Sequence, residues 1–476
     1  MAMPSTAPEL PDDPGPRSAD VDRPTGPALR RRELRGWGGT AATAALVAEP
    51  TSATDLGTSL EGIGPRGAIA RGLGRAYGDG AQNAGGRVID TTGVRDFHLD
   101  PTTGVVRASA GASIDALMRD LVPRGFFVPV TAGTRYVTVG GAIAADIHGK
   151  NHHKGGSWCN HVLSITLALP DGSQLVVTPT EHADVFWATA GGMGLTGVIL
   201  EATFRCPPIE TSRLVVDTDR TDDLDGAMAL MQDSDDDYDY SVAWIDLSAR
   251  GRSMGRSILG RGRFARADEV PGDRAEQLAY DAGILVSAPP VFPSGLLNRF
   301  SIRVLNEAWY RKAPKARHDE LQTIPQFFHP LDMLGHWNRV YGSRGFLQWQ
   351  YVVPFGAEET VRHTVERLSS TGSSSFVSVL KRFGQGNQGP LSFPIPGWTL
   401  SLDIPVGTSG LGTLLDQLDE RIVEAGGRVY LAKDSRVQAR HLPTMYPRLD
   451  EWRAIRDKVD PERRIQSDLA RRLDLL

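Results

Sequence analysis

Between Gly67 and about Pro207, short apolar runs of β character alternate with clusters of glycine, and one stretch is amphipathic at helical spacing. Arg87-Val88-Ile89-Asp90 and Gly104-Val105-Val106-Arg107-Ala108 read as strands. From Ser113 to Val122, Ile114, Leu117, Met118 and Leu121 recur at i, i+3, i+4 and i+7, and Ser113 stands where it can cap, which predicts a helix. A period of two returns at Phe346-Leu347-Gln348-Trp349-Gln350-Tyr351-Val352-Val353 and at Trp398-Thr399-Leu400-Ser401-Leu402-Asp403-Ile404. It predicts strands with one face on a core and the other toward solvent or a ligand. Between about Gly283 and Pro330 the chain turns Pro-rich yet apolar and aromatic, which predicts a long irregular segment acting as a mobile lid. The last fifty residues hold Arg428-Val429-Tyr430-Leu431-Ala432-Lys433 and then an Arg/Asp-rich helical end. No internal repeat is present, and the fold class is α+β.

At 476 residues the chain exceeds what one hydrophobic core supports, so two domains are expected. Lys plus Arg (52) against Asp plus Glu (57) leaves a net charge of −5, which provides no cationic field for nucleic acid. Cys159 and Cys206 belong to no metal-ligand pattern and read as reduced thiols. No run reaches the roughly 18 apolar residues of a membrane-spanning helix. Arg30-Arg31-Arg32-Glu33-Leu34-Arg35 followed by the alanine-rich run 41–48 faintly imitates a twin-arginine export signal, but the apolar part is short and Trp37-Gly38-Gly39 interrupts it. The simpler expectation is a disordered tail over residues 1–30 that leads into the folded body.

Three glycine-rich loops carry the candidate chemistry: Arg71-Gly72-Leu73-Gly74-Arg75-Ala76-Tyr77-Gly78-Asp79, then Gly133 to Ala142 running on to His148-Gly149-Lys150, then Gly191-Gly192-Met193-Gly194-Leu195-Thr196-Gly197. Bunched glycines let backbone N–H groups approach a phosphate, and a pyrophosphate is the natural guest. The third loop contains G-x-G-x-x-G, yet a helix is predicted before it and a strand after it, the reverse of a Rossmann fingerprint. His148, His152 and His153 suggest a metal by spacing, but Gly149 interrupts the helix and no carboxylate or cysteine completes a set, so no metal is expected.

The first loop, the T-V-G-G-A-I-A segment and F-W-A-T-A-G-G-M-G-L-T-G together resemble the vanillyl-alcohol-oxidase type of flavoprotein. I-H-G-K-N-H-H, F-F-H-P-L-D-M, L-S-F-P-I-P-G-W and A-K-D-S-R, in that order, are similar to the decaprenylphosphoryl-β-D-ribose 2-oxidase family, over about residues 35–476. The resemblance implies an FAD-binding domain over 31–211, a substrate domain on an antiparallel sheet over 212–427 with the lid at about 283–330, and a C-terminal segment, 428–476, that returns to the FAD domain. It implies that FAD contacts Arg71, Gly72, Leu73, Gly74, Arg75, Ala76, Tyr77, Gly78, Asp79, Gly80, Gly133, Thr138, Gly140, Gly141, Ala145, Asp146, Ile147, His148, Ile199 and Tyr430. Tyr77 stands where related flavoproteins carry a flavin-linked histidine, so FAD is expected to be held without a covalent bond.

By the same resemblance Lys433, Tyr77 and His148 are the catalytic candidates, and Trp244, Gln348, Gln350, Lys381, Thr399, Ser401 and Lys433 contact the substrate. Lys433 either takes a proton as a base or stays charged and polarises a hydroxyl. Mycobacterial relatives commonly have cysteine at the place of Ser401, the thiol that nitroaromatic inhibitors capture, so resistance to capture is expected here. The implied reaction oxidises the 2-hydroxyl of a lipid-linked ribose phosphate, the first half of an epimerisation that serves actinobacterial cell-wall arabinan. The implied partners are an NADH-dependent keto-sugar reductase and a membrane surface touched peripherally. The family resemblance implies the periplasmic face of the envelope, and with no clear signal peptide the cytoplasmic face stays open. An aldonolactone or alditol oxidase acting on free sugars and a non-catalytic flavoprotein scaffold are the competing readings.

Overall fold

The computed structural model describes residues 28–289, 298–372 and 375–476. The expected tail therefore lies outside the described residues except for its last three positions, and so does part of the expected lid, 290–297. The arginine cluster and the alanine run that imitated an export signal are two strands, Leu29–Arg35 and Ala42–Ala48, paired antiparallel across the turn at Trp37-Gly38-Gly39. They continue through Arg87–Asp90 and Ala68–Arg71 into a four-stranded sheet. Both segments are thus part of the folded body.

A five-stranded sheet follows, in spatial order Phe97–Asp100, Val105–Ser109, Val198–Arg205, Val162–Ala168 and Gln174–Val177. The helix Ile114–Leu121 is capped by Ser113 and buries Ile114, Leu117, Met118 and Leu121, the four residues of its apolar stripe. Around the third glycine loop the helix Ala183–Thr189 precedes and the strand Val198–Arg205 follows, the order opposite to a dinucleotide fingerprint.

Residues 213–429 form an eight-stranded antiparallel sheet, in order Ala316–Thr323, Arg213–Thr221, Ser257–Phe264, Tyr240–Ile245, Ser378–Phe383, Gly397–Pro405, Phe346–Pro354 and Arg428–Val429. The helices Leu224–Ser234, Glu358–Thr371 and Leu411–Glu424 cover one face. The period-two strands at the centre are buried on both faces: helices cover one, and the other faces a cavity, so of the two expected surroundings of the second face it is the ligand side that is found. Trp349 points to the helices, where its indole N–H donates to Asp419 Oδ1 at 2.9 Å, while Gln348 and Gln350 point the other way.

The segment after Gly283 is also more regular than expected. Asn298 caps a 14-residue helix, Arg299–Lys312, and Ala316–Thr323 then forms an edge strand on Arg213–Thr221. The capping box of Asn298 and Ser301 starts the helix, and no proline interrupts it before Pro314. The C-terminal residues return to the first sheet: Ile465 bridges Ala68, Arg472 pairs with Asp79, and the Trp452 indole donates to Ala188 O.

Candidate active site

One cavity of about 930 Å³ is walled by residues of the four-, five- and eight-stranded sheets. The three glycine loops form one side of it: Gly72 to Tyr77 and Gly80, then Gly133, Thr138, Gly140 and Gly141, then Met193, Gly194 and Gly197. A Cβ on Gly72 would lie 2.2 Å from Thr138 Oγ1, the oxygen that caps the helix Val139–Ala144 by accepting from Gly141 N. At Gly133 a Cβ would meet nothing within 4 Å, so glycine there keeps that part of the wall clear. Arg75 lies 3.7 Å over the Trp37 ring and donates to Tyr136 O, which ties the first loop to the second.

Braces from distant parts of the chain fix these loops. Asp332, in F-F-H-P-L-D-M, accepts from Arg135 N at 2.8 Å, and His329 of the same motif hydrogen-bonds Thr131 Oγ1 at 2.8 Å. Asp146 adopts a left-handed backbone (φ 40°), which turns its buried carboxylate away from the cavity. There it accepts from Cys159 N and from the side chains of Ser157, Ser392 and Asn387. The residues next to it, Ala145, Ile147 and His148, stay on the wall.

The opposite wall is polar and cationic. Lys433 donates to Ser401 Oγ at 3.2 Å and lies 5.9 Å from the Tyr77 ring centre. Asp403, wholly buried, accepts from Gln348 Nε2 and from the Tyr341 hydroxyl. Burial raises the Asp403 carboxyl and lowers the Lys433 ammonium, and the Coulomb attraction between them opposes both shifts. Desolvation pulls Lys381 and Lys150 down to about 7. The Tyr77 hydroxyl is pushed well up, chiefly by burial. Burial, then the lysine charges, hold His148 neutral; its Nε2 receives the amide N–H of Gln350 at 3.0 Å, leaving Nδ1 as the proton carrier.

Of the residues singled out from sequence, Gly72, Leu73, Gly74, Arg75, Ala76, Tyr77, Gly80, Gly133, Thr138, Gly140, Gly141, Ala145, Ile147, His148, Ile199, Tyr430, Trp244, Gln348, Lys381 and Lys433 line this one cavity. Arg71, Gly78, Asp79, Asp146, Gln350, Thr399 and Ser401 do not, and each supports the wall from behind. Arg71 donates to Ala81 O and Arg35 O, and Gly78 backs onto Asp434, where a Cβ would lie 2.1 Å from the carbonyl oxygen. Gln350 donates to Thr399 Oγ1 as well as to His148, and Ser401 sits beneath Lys433. His152 packs on the Phe383 ring and His153 bonds Tyr238 O, so the three histidines do not converge.

Sequence reading missed Asp403, Lys150 and the helix residues Leu305 and Trp309, all at or beside this cavity. For Asp403 a signal existed: Thr399, Ser401 and Asp403 alternate along one strand and therefore share its inner face.

The glycine loops, kept clear of side chains at Gly133, fit the pyrophosphate of FAD. The Oε1 of Gln348 is buried without a hydrogen-bond partner among the described residues, which suits a ligand that brings a donor. FAD when bound supplies the acceptor for a hydride.

Residues 44–178 match the FAD binding domain family, and residues 412–473 match the D-arabinono-1,4-lactone oxidase family. The decaprenylphosphoryl-β-D-ribose oxidase of Mycolicibacterium smegmatis is 47% identical over 452 residues, 94% of this chain and 98% of that protein. An uncharacterized protein of Streptomyces coelicolor is 41% identical over 75% of this chain and 98% of its own length. The L-gulonolactone oxidase of Mus musculus is 32% identical over only 25% of this chain and 28% of its own.

Proposed function

Because the chain belongs to the decaprenylphosphoryl-β-D-ribose oxidase family, we propose that it uses FAD to oxidise the 2-hydroxyl of decaprenylphosphoryl-β-D-ribose to the 2-keto sugar. The chain is an FAD-dependent oxidoreductase. The observation that carries the finer reading is that Lys433, with Gln348 and Tyr77 beside it, faces the same cavity as the glycine loops. Lys433 Nζ is lowered by burial to where the neutral amine exists near neutral pH, and it takes the hydroxyl proton as hydride departs. Asp403 and Ser401 position that amine, Gln348 orients the sugar, and neutral His148 closes the wall. Tyr77 offers no histidine for a flavin link, so FAD is held without a covalent bond and is released on denaturation.

The product is a 2-keto sugar, so an NADH-dependent reductase must complete the epimerisation to the arabinose donor. Peripheral membrane contact is supported by the helix Arg299–Lys312, which exposes Phe300, Val304, Leu305 and Trp309 beside Arg303. Leu305 and Trp309 also line the cavity, so this face both rests on the bilayer and leads the prenyl chain to the site. No helix among the described residues is long and apolar enough to cross a membrane. The periplasmic side of the envelope is the proposed location.

The test is anaerobic bleaching of the flavin on addition of a polyprenylphosphoryl-β-D-ribose. Bleaching by that ligand and not by free aldonolactones or alditols is expected. Bleaching by the free sugars instead would turn the reading to a lactone or alditol oxidase, and no bleaching by either to a scaffold. For the membrane face, Phe300→Glu with Trp309→Glu should abolish cosedimentation with anionic liposomes, and undiminished binding would refute it.

A further inference from the structure

Two cations on the cavity wall have no partner in the mechanism. Lys381 projects from the strand Ser378–Phe383, and Lys150 is tied to the same sheet by its carbonyl, which accepts from Ser241 N. The Lys150 ammonium donates to Phe327 O and lies 4.2 Å from the Phe327 ring centre, while Lys381 Nζ is 5.7 Å from the Phe383 ring centre. Among the described residues, neither forms an ion pair with a carboxylate, and Lys381 has no hydrogen-bond acceptor. The charges that face Lys381 are Lys433 and Lys150, both of its own sign, with His148 and His152 neutral beside them. Asp403, behind this wall, interacts with Lys433. Like charges placed together at a cavity wall without a counter-ion are costly unless an anion arrives with the ligand.

We propose that Lys150 and Lys381 form a phosphate subsite that takes the phosphodiester of the substrate and so sets which sugar hydroxyl reaches Lys433. This rests on the reading of the substrate as a phosphoryl-linked ribose. The phenylalanines around the two ammonium groups exclude water, which strengthens a charged hydrogen bond to the ester oxygens. Burial pulls both ammonium groups down to about 7, so the phosphate affinity should fade as the pH rises toward 9.

The experiment uses FAD-loaded protein and reads tryptophan fluorescence, since Trp244, Trp309 and Trp337 line the cavity, together with the flavin absorbance. The ligands are a short-chain prenylphosphoryl-β-D-ribose, the neutral prenyl β-D-riboside and inorganic phosphate. Lys381→Met, and independently Lys150→Met, should weaken the phosphoryl ligand about tenfold or more and leave the neutral riboside within about twofold, the size expected for one charged hydrogen bond. Inorganic phosphate that competes with the phosphoryl ligand shows that the free anion suffices. Failure to compete, with the tenfold loss intact, assigns the subsite to the esterified lipid phosphate. The proposal falls if both ligands weaken equally, if the preference for the phosphoryl ligand survives both substitutions, or if the variants lose FAD instead. If the unaltered enzyme binds neither ribose ligand, the substrate reading itself falls and the subsite with it.

Discussion

Replacing Asp403 with asparagine removes one charge from the wall and keeps the carbonyl that accepts from Gln348. Lys433 Nζ is 3.2 Å from Ser401 Oγ, and it and Asp403 attract each other without a direct ion pair, as charges about 6 Å apart would. At an effective dielectric near 20 that attraction is about 2.8 kcal/mol, equivalent to about two pH units in the titration of Lys433. Water in the cavity weakens it, so a displacement of one to two units is expected. The carboxylate favours the charged lysine, so its loss favours the neutral amine. With Lys433 acting as base, kcat/KM rises with pH through the titration of Lys433 in the free enzyme. In Asp403→Asn the acid limb of that profile should move down by about 1–2 pH units, making the variant relatively more active at low pH. An acid limb that stays in place or moves to higher pH would refute the coupling. A fall of kcat at saturating substrate with rising pH, in either protein, would show that Lys433 works as a cation, whereas a fall of kcat/KM alone would report the loss of phosphate affinity at Lys150 and Lys381.

Lys433→Arg separates the same two roles, because a guanidinium stays charged: turnover should drop by about 10²-fold or more while FAD content is unchanged, and retained turnover would sink the base. Gly72→Ala forces a Cβ onto Thr138 Oγ1 and displaces the cap of the helix Val139–Ala144, so FAD affinity should fall about tenfold with about 1 kcal/mol of stability; calorimetric titration of FAD measures the first and thermal unfolding the second. Arg135→Met leaves Asp115 and the buried Asp332 without their shared cation and should lower stability by about 3 kcal/mol, seen as a Tm lower by several degrees; an unchanged Tm contradicts the brace. Ser401 is a hydroxyl against Lys433 and supplies no thiolate, so nitroaromatic inhibitors should leave no adduct in intact-mass spectra while turnover persists.

Local signals carried the fold where one element makes its own case. The apolar stripe and cap of Ile114–Leu121 appear as read, and so do the strands at Arg87, Phe346 and Trp398. The period-two strands left open what covers their second face, because a period of two reveals two faces but not what covers each of them. Here helices cover one face and the cavity wall closes the other. The segment after Gly283 misled because its prolines hid a capped helix a few residues on, whose exposed Phe300 and Trp309 give it no soluble amphipathic pattern. In the site, glycine loops and Lys433 were legible through motif resemblance. For Asp403 the sequence showed only that it shares a strand face with Thr399 and Ser401; its place beside the site comes from Gln348 across the ladder.

Most of the motifs that carried the resemblance place residues on the cavity wall, and other residues of the same motifs brace it. In F-F-H-P-L-D-M, His329 and Asp332 hold Thr131 and Arg135, which flank Gly133. In L-S-F-P-I-P-G-W, Ser392 anchors Asp146, and Phe393 stacks on Tyr430 at 4.7 Å. In A-K-D-S-R, Asp434 accepts from Arg436 N and Val437 N, and Arg436 pairs with Asp416 and Asp419, which fixes the turn that presents Lys433. A glycine loop can hold a phosphate only if its backbone is already placed, because ordering it on binding would cost about 1–2 kcal/mol per residue. The long-range contacts that sequence does not display are therefore what make the short motifs work, and a change at Asp332 or Asp434 should weaken FAD binding although neither side chain reaches the cavity wall.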